Sequence, residues 1–341
     1  MSVGDTYRIG VIGCGLIGQK RVKAFNPAQL VACADLQEDR ASALARLTAV
    51  PEKVFISSDW KTVIQRDDVD IVIVSTTNKM LATITLAAVK AGKHVLVEKP
   101  AALSADELKP VIEIAQQNQC LVRVGFNHRY HPALIKARAI YESGVLGDMM
   151  FVRGRYGHGG RIGYDKEWRA DPTLSGGGEL IDQGVHLIDL SRWFLGDFAQ
   201  VTGFAHTYFW KMPVDDNGFM LLRTTDNKTA FLHVSCTEWK NLFSFEIYGR
   251  DAKLHIEGLG GSYGTERLTY YKMLPQMGPP ETTIWEYPMG DNSWKLEFEA
   301  FLEDIRLARQ PSANLQDAQA ALAVVEAIYK ESGYDHHPQS T

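Results

Sequence analysis

The first 125 residues alternate between short runs rich in β-branched residues and longer amphipathic segments. The runs predict strands at Tyr7–Ile12, Leu30–Ala34, Ile71–Ser75, His94–Val97 and Leu121–Gly125. Apolar residues at helical spacing between these runs predict helices at Ile17–Phe25, Arg40–Leu47, Ala82–Lys90 and Ala105–Gln117. Strands that alternate with helices in this way predict a parallel, doubly wound sheet, which is the α/β class of fold.

Beyond residue 132 the pattern changes, and strands follow one another directly. A helix at Ala133–Ser143 and a strand at Met149–Arg155 lead into a glycine-rich loop at 157–163. Further strand patterns, separated by turn residues, lie at Gln200–Tyr208, Asn217–Thr224, Thr229–Cys236, Phe243–Gly249, Lys253–Glu257 and Leu268–Lys272. Successive strands of this kind predict an open, mainly antiparallel sheet. Closing helices at Lys295–Arg309 and Asp317–Glu331 make this half of the chain an α+β domain.

The change of pattern divides the 341 residues into two predicted domains. Residues 1–127 form the first domain and residues 128–335 the second. The last residues, 336–341, are expected to be a flexible tail in which His336 and His337 are solvated. The glycine-rich stretch GLGGSYG at 258–264 is interpreted as a strand connection and not as a nucleotide loop.

Composition and charge exclude several functional classes. The net charge of −5 provides no electrostatic surface for nucleic acid or for an anionic membrane. No apolar run approaches the ~20 residues that span a bilayer, and the N-terminal residues show no signal-peptide pattern. The cysteines Cys14, Cys33, Cys120 and Cys236 form no CxxC pair, so we expect reduced thiols in a cytoplasmic protein.

A glycine motif follows the first predicted strand and opens the first predicted helix. In this position GxGxxG is typical of a dinucleotide site, and the alternative is a glycine turn without a ligand. Gly13 would allow the tight turn, Gly15 the approach of a pyrophosphate to the backbone, and Gly18 close packing of helix on strand. Leu16 and Ile17 would begin the helix, whose positive end attracts the pyrophosphate.

Two further loops at strand ends are candidates for cofactor contacts. Asp35 ends the second strand, where a carboxylate can accept hydrogen bonds from a ribose diol and repels a 2′-phosphate. This favours NAD, while Arg40, one helical turn later, leaves NADP open. Thr76, Thr77 and Asn78 end another strand and are expected to contact the cofactor, with Asn78 also acting as a helix N-cap.

Glu98 and Lys99 lie at the end of the next strand, at the same predicted edge of the sheet. Both are candidates for contact with the cofactor. Lys99 could also share a proton with a substrate hydroxyl, and the alternative is an exposed loop lysine.

The segment GGGELIDQGVHLIDL, residues 176–190, predicts a half-buried helix with ionisable residues on one face. Asp182, His186 and Asp189 are spaced by four and three residues, which places them together on a regular α-helix. Oxidation of a secondary alcohol needs a base that is active near neutral pH, and imidazole is suited to this task. We interpret His186 as the general base, Asp182 as its partner and Asp189 as structural, and we expect Gly176–Gly178 to give the preceding loop mobility. A zinc site is discounted, because no suitably spaced further ligands accompany His186.

Polar residues near the predicted domain junction are candidates for substrate contacts. Asn127 and Arg129 follow the last strand of the first domain. Arg161, Trp168 and Arg169 precede the ionisable helix, and the arginines could bind a phosphate or carboxylate while the tryptophan stacks on a sugar. The alternative for each is a solvated loop residue.

In their order along the chain, these motifs resemble the Gfo/Idh/MocA family, which includes glucose–fructose oxidoreductase and inositol dehydrogenase. The resemblance rests on GxGxxG, the strand-end acid, Glu-Lys-Pro after GKHV, GFNHRYHP and GGGELIDQGVHLIDL. It implies an N-terminal Rossmann domain, a C-terminal domain with an open antiparallel sheet, and NAD(P)-dependent redox chemistry on a ring hydroxyl of a sugar, nucleotide sugar or cyclitol. By position it implies Lys99, Asp182 and His186 as the catalytic residues. Leu81 and Thr77 depart from the histidine and proline that many members carry.

Two other functions remain open at this point. Some proteins that resemble the family are glycosidases that use transient oxidation by bound NAD, and others are non-catalytic NAD-binding regulators. The presence of Lys99, Asp182 and His186 argues against a regulator. An exposed face of the second sheet would also need cover, which predicts a homodimer or homotetramer.

Overall fold

The computed structural model describes residues 7–276 and 278–334, and within them the chain forms two compact units. The first unit contains residues 7–126 and Trp294–Gln319, and the second contains Asn127–Ser293 and residues 320–334. Trp294–Gln319 therefore belongs to the first unit, whereas the sequence pattern placed it in the second domain. The tail predicted at 336–341, with His336 and His337, lies outside the described residues.

The helices lie close to their predicted positions. In chain order they are α1 Leu16–Lys23, α2 Glu38–Ala45, α3 Trp60–Ile64, α4 Asn78–Lys90, α5 Lys109–Gln117, α6 Pro132–Glu142, α7 Pro172–Ser175, α8 Val185–Leu195, α9 Ser293–Arg306 and α10 Leu315–Glu331. The short helices α3 and α7 were not predicted. None of the helices in the described residues has both the length and the apolar character that a membrane crossing requires.

The first unit is built on a parallel six-stranded sheet in the order β3-β2-β1-β4-β5-β6. Its strands are β1 Ile9–Ile12, β2 Leu30–Ala34, β3 Phe55–Ser57, β4 Ile71–Val74, β5 His94–Val97 and β6 Val122–Val124. Strands such as β4, with sequence IVIV, are buried throughout, because helices cover both faces of a parallel sheet. The chain order reverses beside β1, so the loops after β1 and β4 open at one edge, where doubly wound sheets bind their ligands. The predicted doubly wound sheet is thus confirmed.

Helix α9 completes the core of the first unit. Phe298 and Phe301 of α9 are buried among residues of β1, β2 and β4, and the ring of Phe298 lies 5.2 Å from that of Phe25. Burial of two aromatic side chains explains why this C-terminal helix belongs to the N-terminal unit.

Two buried arginines also join α9 to the rest of the first unit. Arg21 of α1 donates from Nε to Glu98 at 2.7 Å and from Nη1 to Glu297 of α9. Arg123 of β6 donates to Asp304 of α9 in the same way. Burial raises the pKa of the Glu297 carboxyl, although the charge of Arg21 opposes the rise. Glu98, predicted as a cofactor contact, therefore has its carboxylate bound to Arg21 inside the unit.

The second unit is built on an eight-stranded sheet in the order β14-β13-β12-β11-β7-β10-β9-β8. Its strands are β7 Met149–Gly157, β8 Phe198–His206, β9 Asn217–Thr224, β10 Thr229–Ser235, β11 Leu242–Gly249, β12 Ala252–Glu257, β13 Glu266–Lys272 and β14 Glu281–Tyr287. Each neighbouring pair is antiparallel except β7 and β10, which are parallel. The open, mainly antiparallel sheet is confirmed, and β14 is an addition to the predicted strands.

Candidate functional site

The glycine turn between β1 and α1 has a different environment at each glycine. Gly13 has a left-handed φ of +92°, and a Cβ there would lie 2.4 Å from the backbone oxygen of Ser75. A Cβ on Gly18 would lie 2.2 Å from the oxygen of Gly13, whereas a Cβ on Gly15 would meet no described atom within 4 Å. No side chain caps α1, and its first turn carries no acidic residue. The open space at Gly15 beside an uncapped helix start fits a bound pyrophosphate.

These environments predict a defect in NAD binding for one glycine substitution and a defect in stability for another. Gly15→Ala should weaken NAD binding about tenfold or more without loss of stability, because its Cβ occupies only the space proposed for the ligand. Gly18→Ala should lower the free energy of unfolding by about 1–3 kcal/mol, because its Cβ would overlap the oxygen of Gly13. Calorimetric titration with NAD and urea denaturation measure the two effects. Unchanged NAD affinity in Gly15→Ala would contradict the assignment of this space.

Asp35 lies at the carboxyl end of the sheet, next to the glycine turn. Its Oδ2 accepts a hydrogen bond from the backbone N of Cys14 at 2.8 Å, and its Oδ1 accepts one from Gln37 at 2.9 Å. A carboxylate has about four acceptor positions, so these bonds leave capacity for a ribose diol. Arg40, the residue that left NADP open, is exposed on α2.

The loop after β4 joins the glycine turn through Ser75, the first residue of the stretch that ends this strand. Ser75 donates from Oγ to the oxygen of Gly13 at 2.7 Å. Helix α4 begins at Asn78, and Thr77 in extended conformation is the N-cap, so the predicted N-cap at Asn78 is wrong by one residue. Thr76 donates from Oγ1 to the oxygen of Thr77 at 3.2 Å. Lys99, at the loop after β5, is partly buried.

In the second unit, the predicted catalytic helix begins with one turn of π-helix at Leu180–Gly184 and continues as α8. The prediction of a regular α-helix through Asp182 is therefore wrong, because a π-turn contains an extra residue and shifts the face on which Asp182 lies. Asp182, His186 and Asp189 are all buried, so they form no exposed ionisable face.

Each of the three ionisable residues has its own partner in the second unit. Asp182 accepts a hydrogen bond from Nε of Arg169 at 3.1 Å. The imidazole of His186 stacks on that of His128, with 3.8 Å between ring centroids and 28° between ring planes. Asp189 forms an ion pair with Arg129 through two hydrogen bonds, which agrees with its interpretation as structural.

The predicted substrate residues divide into those close to Asp182 and those bound elsewhere. Arg129 is buried and donates two hydrogen bonds to Asp189, at 2.8 and 2.5 Å, so its guanidinium holds α8 in place. Asn127 donates to Ser293 at 2.8 Å.

The loop before the π-turn supplies the other predicted substrate residues. Arg161 forms an exposed pair with Glu167. Arg169 reaches Asp182, and the Trp168 ring lies 4.6 Å from its guanidinium. The structure thus brings Trp168 and Arg169 to Asp182 and leaves Arg161 at the surface.

The glycines that precede the π-turn are closely packed, which contradicts the expectation that they provide mobility. A Cβ on Gly177 would lie 2.1 Å from the hydroxyl of Tyr329, and one on Gly178 would lie 1.8 Å from the oxygen of Asp215. The Asp215 carboxylate accepts hydrogen bonds from the backbone N of Gly178 and of Leu180, both at 2.8 Å. Burial raises the pKa of Asp215 to about 6, against the effect of these hydrogen bonds. The glycines therefore allow the chain to approach a buried carboxylate that fixes the start of the π-turn.

Sequence reasoning did not single out two residues of this site. His128 lies between Asn127 and Arg129 in the GFNHRYHP stretch, and its stacking on His186 reveals it. Glu179 is buried, accepts a hydrogen bond from the Tyr164 hydroxyl at 2.6 Å and lies 3.4 Å from Nε2 of His158. Burial by itself would lower the pKa of His158, because it disfavours the charged imidazole. The hydrogen bond and the negative charge of Glu179 outweigh this effect, so the pKa of His158 is raised. In the sequence, Glu179 could have been recognised as a charged residue that directly precedes the apolar residues Leu180 and Ile181.

Among residues 7–276 and 278–334, no group of three or more His, Cys, Asp or Glu side chains is arranged to hold an ion. The groups near His186 include an aspartate bonded to an arginine, a second imidazole and Tyr156, which suits proton transfer to an organic substrate.

Comparison with known proteins gives matches along most of the chain. Residues 7–126 match the family model described as an oxidoreductase family with an NAD-binding Rossmann fold, and residues 134–255 match the Gfo/Idh/MocA C-terminal domain. Inositol 2-dehydrogenase 2 of Saccharopolyspora erythraea is 28% identical over 335 residues, which cover 94% of this chain and 92% of that protein.

Two further similarities involve levoglucosan dehydrogenase. The enzyme of Pseudarthrobacter phenanthrenivorans is 28% identical over 238 residues, which are 64% of this chain and only 59% of that enzyme. A solved levoglucosan dehydrogenase in complex with NADH and levoglucosan has a TM-score of 0.83 at 23% identity, and covers 96% of this chain and 98% of its own. At this identity the structural likeness shows the fold alone. The two family matches establish that the chain belongs to the Gfo/Idh/MocA family of oxidoreductases, with an NAD-binding Rossmann domain.

Proposed function

We propose that the protein is an NAD-dependent dehydrogenase that oxidises a ring secondary alcohol of a sugar, nucleotide sugar or cyclitol. The observation that carries the proposal is the buried imidazole of His186, stacked on His128, in a chain with an NAD-binding domain. The relatives named as inositol and levoglucosan dehydrogenases support the substrate class. NAD is favoured over NADP by the carboxylate of Asp35.

The proposed roles follow from the chemistry of each side chain. When bound, the nicotinamide would accept the hydride from the carbinol carbon. His186 would take the hydroxyl proton as general base. Asp182, held by Arg169, would orient the substrate and stabilise the charged imidazole. Lys99 would donate a hydrogen bond to the reacting oxygen as negative charge develops there.

A substrate panel tests this function. Purified protein is incubated with NAD or NADP and with myo-inositol, levoglucosan, common pyranoses and nucleotide sugars, and the absorbance of the reduced cofactor is recorded. We expect formation of NADH with at least one ring polyol and a lower rate with NADP. No reduced cofactor with any member would overturn the proposal. Release of an aglycone from a glycoside without net NADH would indicate the glycosidase alternative instead.

We also propose that the protein forms a homodimer or homotetramer through one face of the second sheet. Phe204 of β8, Leu221 of β9 and Phe231 of β10 are 63%, 50% and 53% exposed. Leu221 is directly opposite Phe231 in the strand register, so the two side chains share one face. An exposed apolar face of this kind favours association with a second copy.

Leu221→Glu should therefore shift the assembly towards monomer, because it places a charge in the centre of this face. Light scattering coupled to size-exclusion chromatography measures the mass in solution. Val145→Glu, at a similarly exposed apolar residue in a turn outside the sheet, is the matched control and should leave the mass unchanged. A wild-type protein that is monomeric at micromolar concentration would contradict the proposed assembly.

We also propose that the protein is located in the cytoplasm. All four cysteines are buried and free. Buried thiols that form no disulfide are typical of proteins from a reducing compartment.

A further inference from the structure

The glycine-rich connection at 258–264, between β12 and β13, has a defined shape. It was interpreted only as a link between strands, and it does link them. Gly260 donates from its backbone N to the oxygen of Gly264 at 2.9 Å, and Tyr263 donates to the oxygen of Gly260 at 3.1 Å. Both Gly260 and Gly264 have left-handed φ values, at +76° and +86°. The connection is thus a small closed loop that presents one aromatic side chain, Tyr263.

Tyr263 is directed towards the His186 site. Its ring lies 5.6 Å from that of Tyr156, with 50° between the ring planes. Tyr156 is buried on β7 and lies edge-on to His186, with 6.1 Å between ring centroids. The carboxylate of Asp182 acts electrostatically on both phenols. Tyr263 therefore belongs to the same aromatic cluster as His186, which it joins through Tyr156 in the second unit.

The Tyr263 hydroxyl has a proton to donate to a ligand. Burial raises the pKa of both phenols, so both carry their proton at neutral pH. A protonated phenol has one O–H to give as well as lone pairs that accept. Tyr263 is only partly buried, so an external molecule can reach it.

We propose that Tyr263 contacts the substrate and helps to determine specificity, by donating a hydrogen bond to a ring hydroxyl other than the one that is oxidised. This inference rests on the proposed function, and it specifies a substrate with at least two hydroxyl groups on one ring. Tyr156 packs against the Tyr263 ring and does not itself react. A site that hydrogen-bonds a particular substrate hydroxyl discriminates strongly against an analogue without it, because the polar group of the protein is then left unpaired.

The experiment compares Tyr263→Phe with the wild type on the best polyol of the panel and on its monodeoxy analogues. Phenylalanine keeps the ring against Tyr156 and removes only the hydroxyl. We expect KM for the polyol to rise about tenfold, the loss of one hydrogen bond of about 1.4 kcal/mol, with a smaller change in kcat. One deoxy analogue should be discriminated by the wild type and no longer by the variant. Tyr271→Phe, at a partly exposed tyrosine on β13, is the matched control and should change neither value.

Calorimetric titration of the NADH-bound wild type and Tyr263→Phe with the same polyols measures their affinities, and so compares the two proteins without turnover. If the wild type binds a polyol but never oxidises it, the proposed dehydrogenase function fails while the Tyr263 inference is still tested by affinity. If Tyr263→Phe keeps the wild-type preference between the polyol and every deoxy analogue, the inference is overturned although the dehydrogenase function stands. A wild type that neither binds nor oxidises any polyol overturns both.

Discussion

Replacement of His186 by alanine is expected to lower kcat for oxidation of the ring alcohol by about 100- to 10,000-fold. This is the usual contribution of a positioned general base. His128 lies face to face with His186, so it occupies the space beside the base and does not replace it. The affinity for NAD should not change, because the glycine turn and Asp35 belong to the first unit.

The pH profile separates a base from a residue that only fills space. With a general base, kcat/KM of the wild type should rise with pH through the titration of one imidazole, and this rise should be absent in His186→Ala. Steady-state rates of NADH formation across the neutral range provide the measurement, and thermal denaturation shows whether the variant is folded.

His206→Ala is the matched control, because His206 is an exposed histidine on β8. It should keep both the rate and the pH profile of the wild type. A kcat for His186→Ala within about threefold of the wild type would mean that another group accepts the proton, since general bases contribute far more than this.

Replacement of Arg21 by methionine is expected to lower the free energy of unfolding by about 3–5 kcal/mol. Methionine fills a similar volume but leaves the carboxylates of Glu98 and Glu297 buried without their shared cation. Urea denaturation followed by tryptophan fluorescence measures the loss. The added substitution Glu297→Gln should restore part of the stability, because it removes one of the two uncompensated charges.

The loss of unfolding free energy in Arg21→Met should also depend on pH, and the sign of this dependence can be predicted. Burial raises the pKa of Glu297 even with Arg21 present, and removal of the arginine takes away an effect that lowers it. A carboxyl whose pKa is higher in the folded than in the unfolded protein favours folding at low pH, and this contribution disappears as the pH rises through the folded value. Arg21→Met should therefore be less destabilising at pH 5 than at pH 8.

Arg8→Met supplies the comparison at the surface. Arg8 pairs with Asp70 at 2.9 Å, and both side chains are partly exposed. Its loss should cost less than about 1 kcal/mol, as is usual for surface ion pairs. An equal loss for Arg8→Met and Arg21→Met would show that burial does not determine the contribution of the Arg21 pairs.

The sequence predicted those parts of the fold that depend on local pattern. Buried strands such as β4 and β5 can be predicted because they are short runs of mainly β-branched, apolar residues. The strand β3 has only three residues, all at least partly exposed. The strand β14 is rich in β-branched and aromatic residues, but it is mostly exposed and follows a stretch rich in proline and glycine, so its pattern is not that of a strand with one buried face.

For the candidate site, the limit lies in contacts between distant residues. The environments of the glycines in GxGxxG follow from their spacing, since the turn and the helix are local. The pairing of Arg129 with Asp189, and the stacking of His128 on His186, join positions about sixty residues apart and required the structure. The π-turn escaped prediction because one extra residue in a buried helix hardly alters its apolar spacing.

The return of α9 to the first unit has a consequence for synthesis on the ribosome. Arg123 and Asp304 are separated by 181 positions, so the nucleotide-binding unit cannot complete its core when its own sheet has left the exit tunnel. At typical rates of about 5–20 residues per second, roughly 10–35 s pass before α9 arrives. During that interval the surface that will receive Phe298 and Phe301 is open in the nascent chain. A chaperone that covers apolar surface would have this interval, and this face, in which to act.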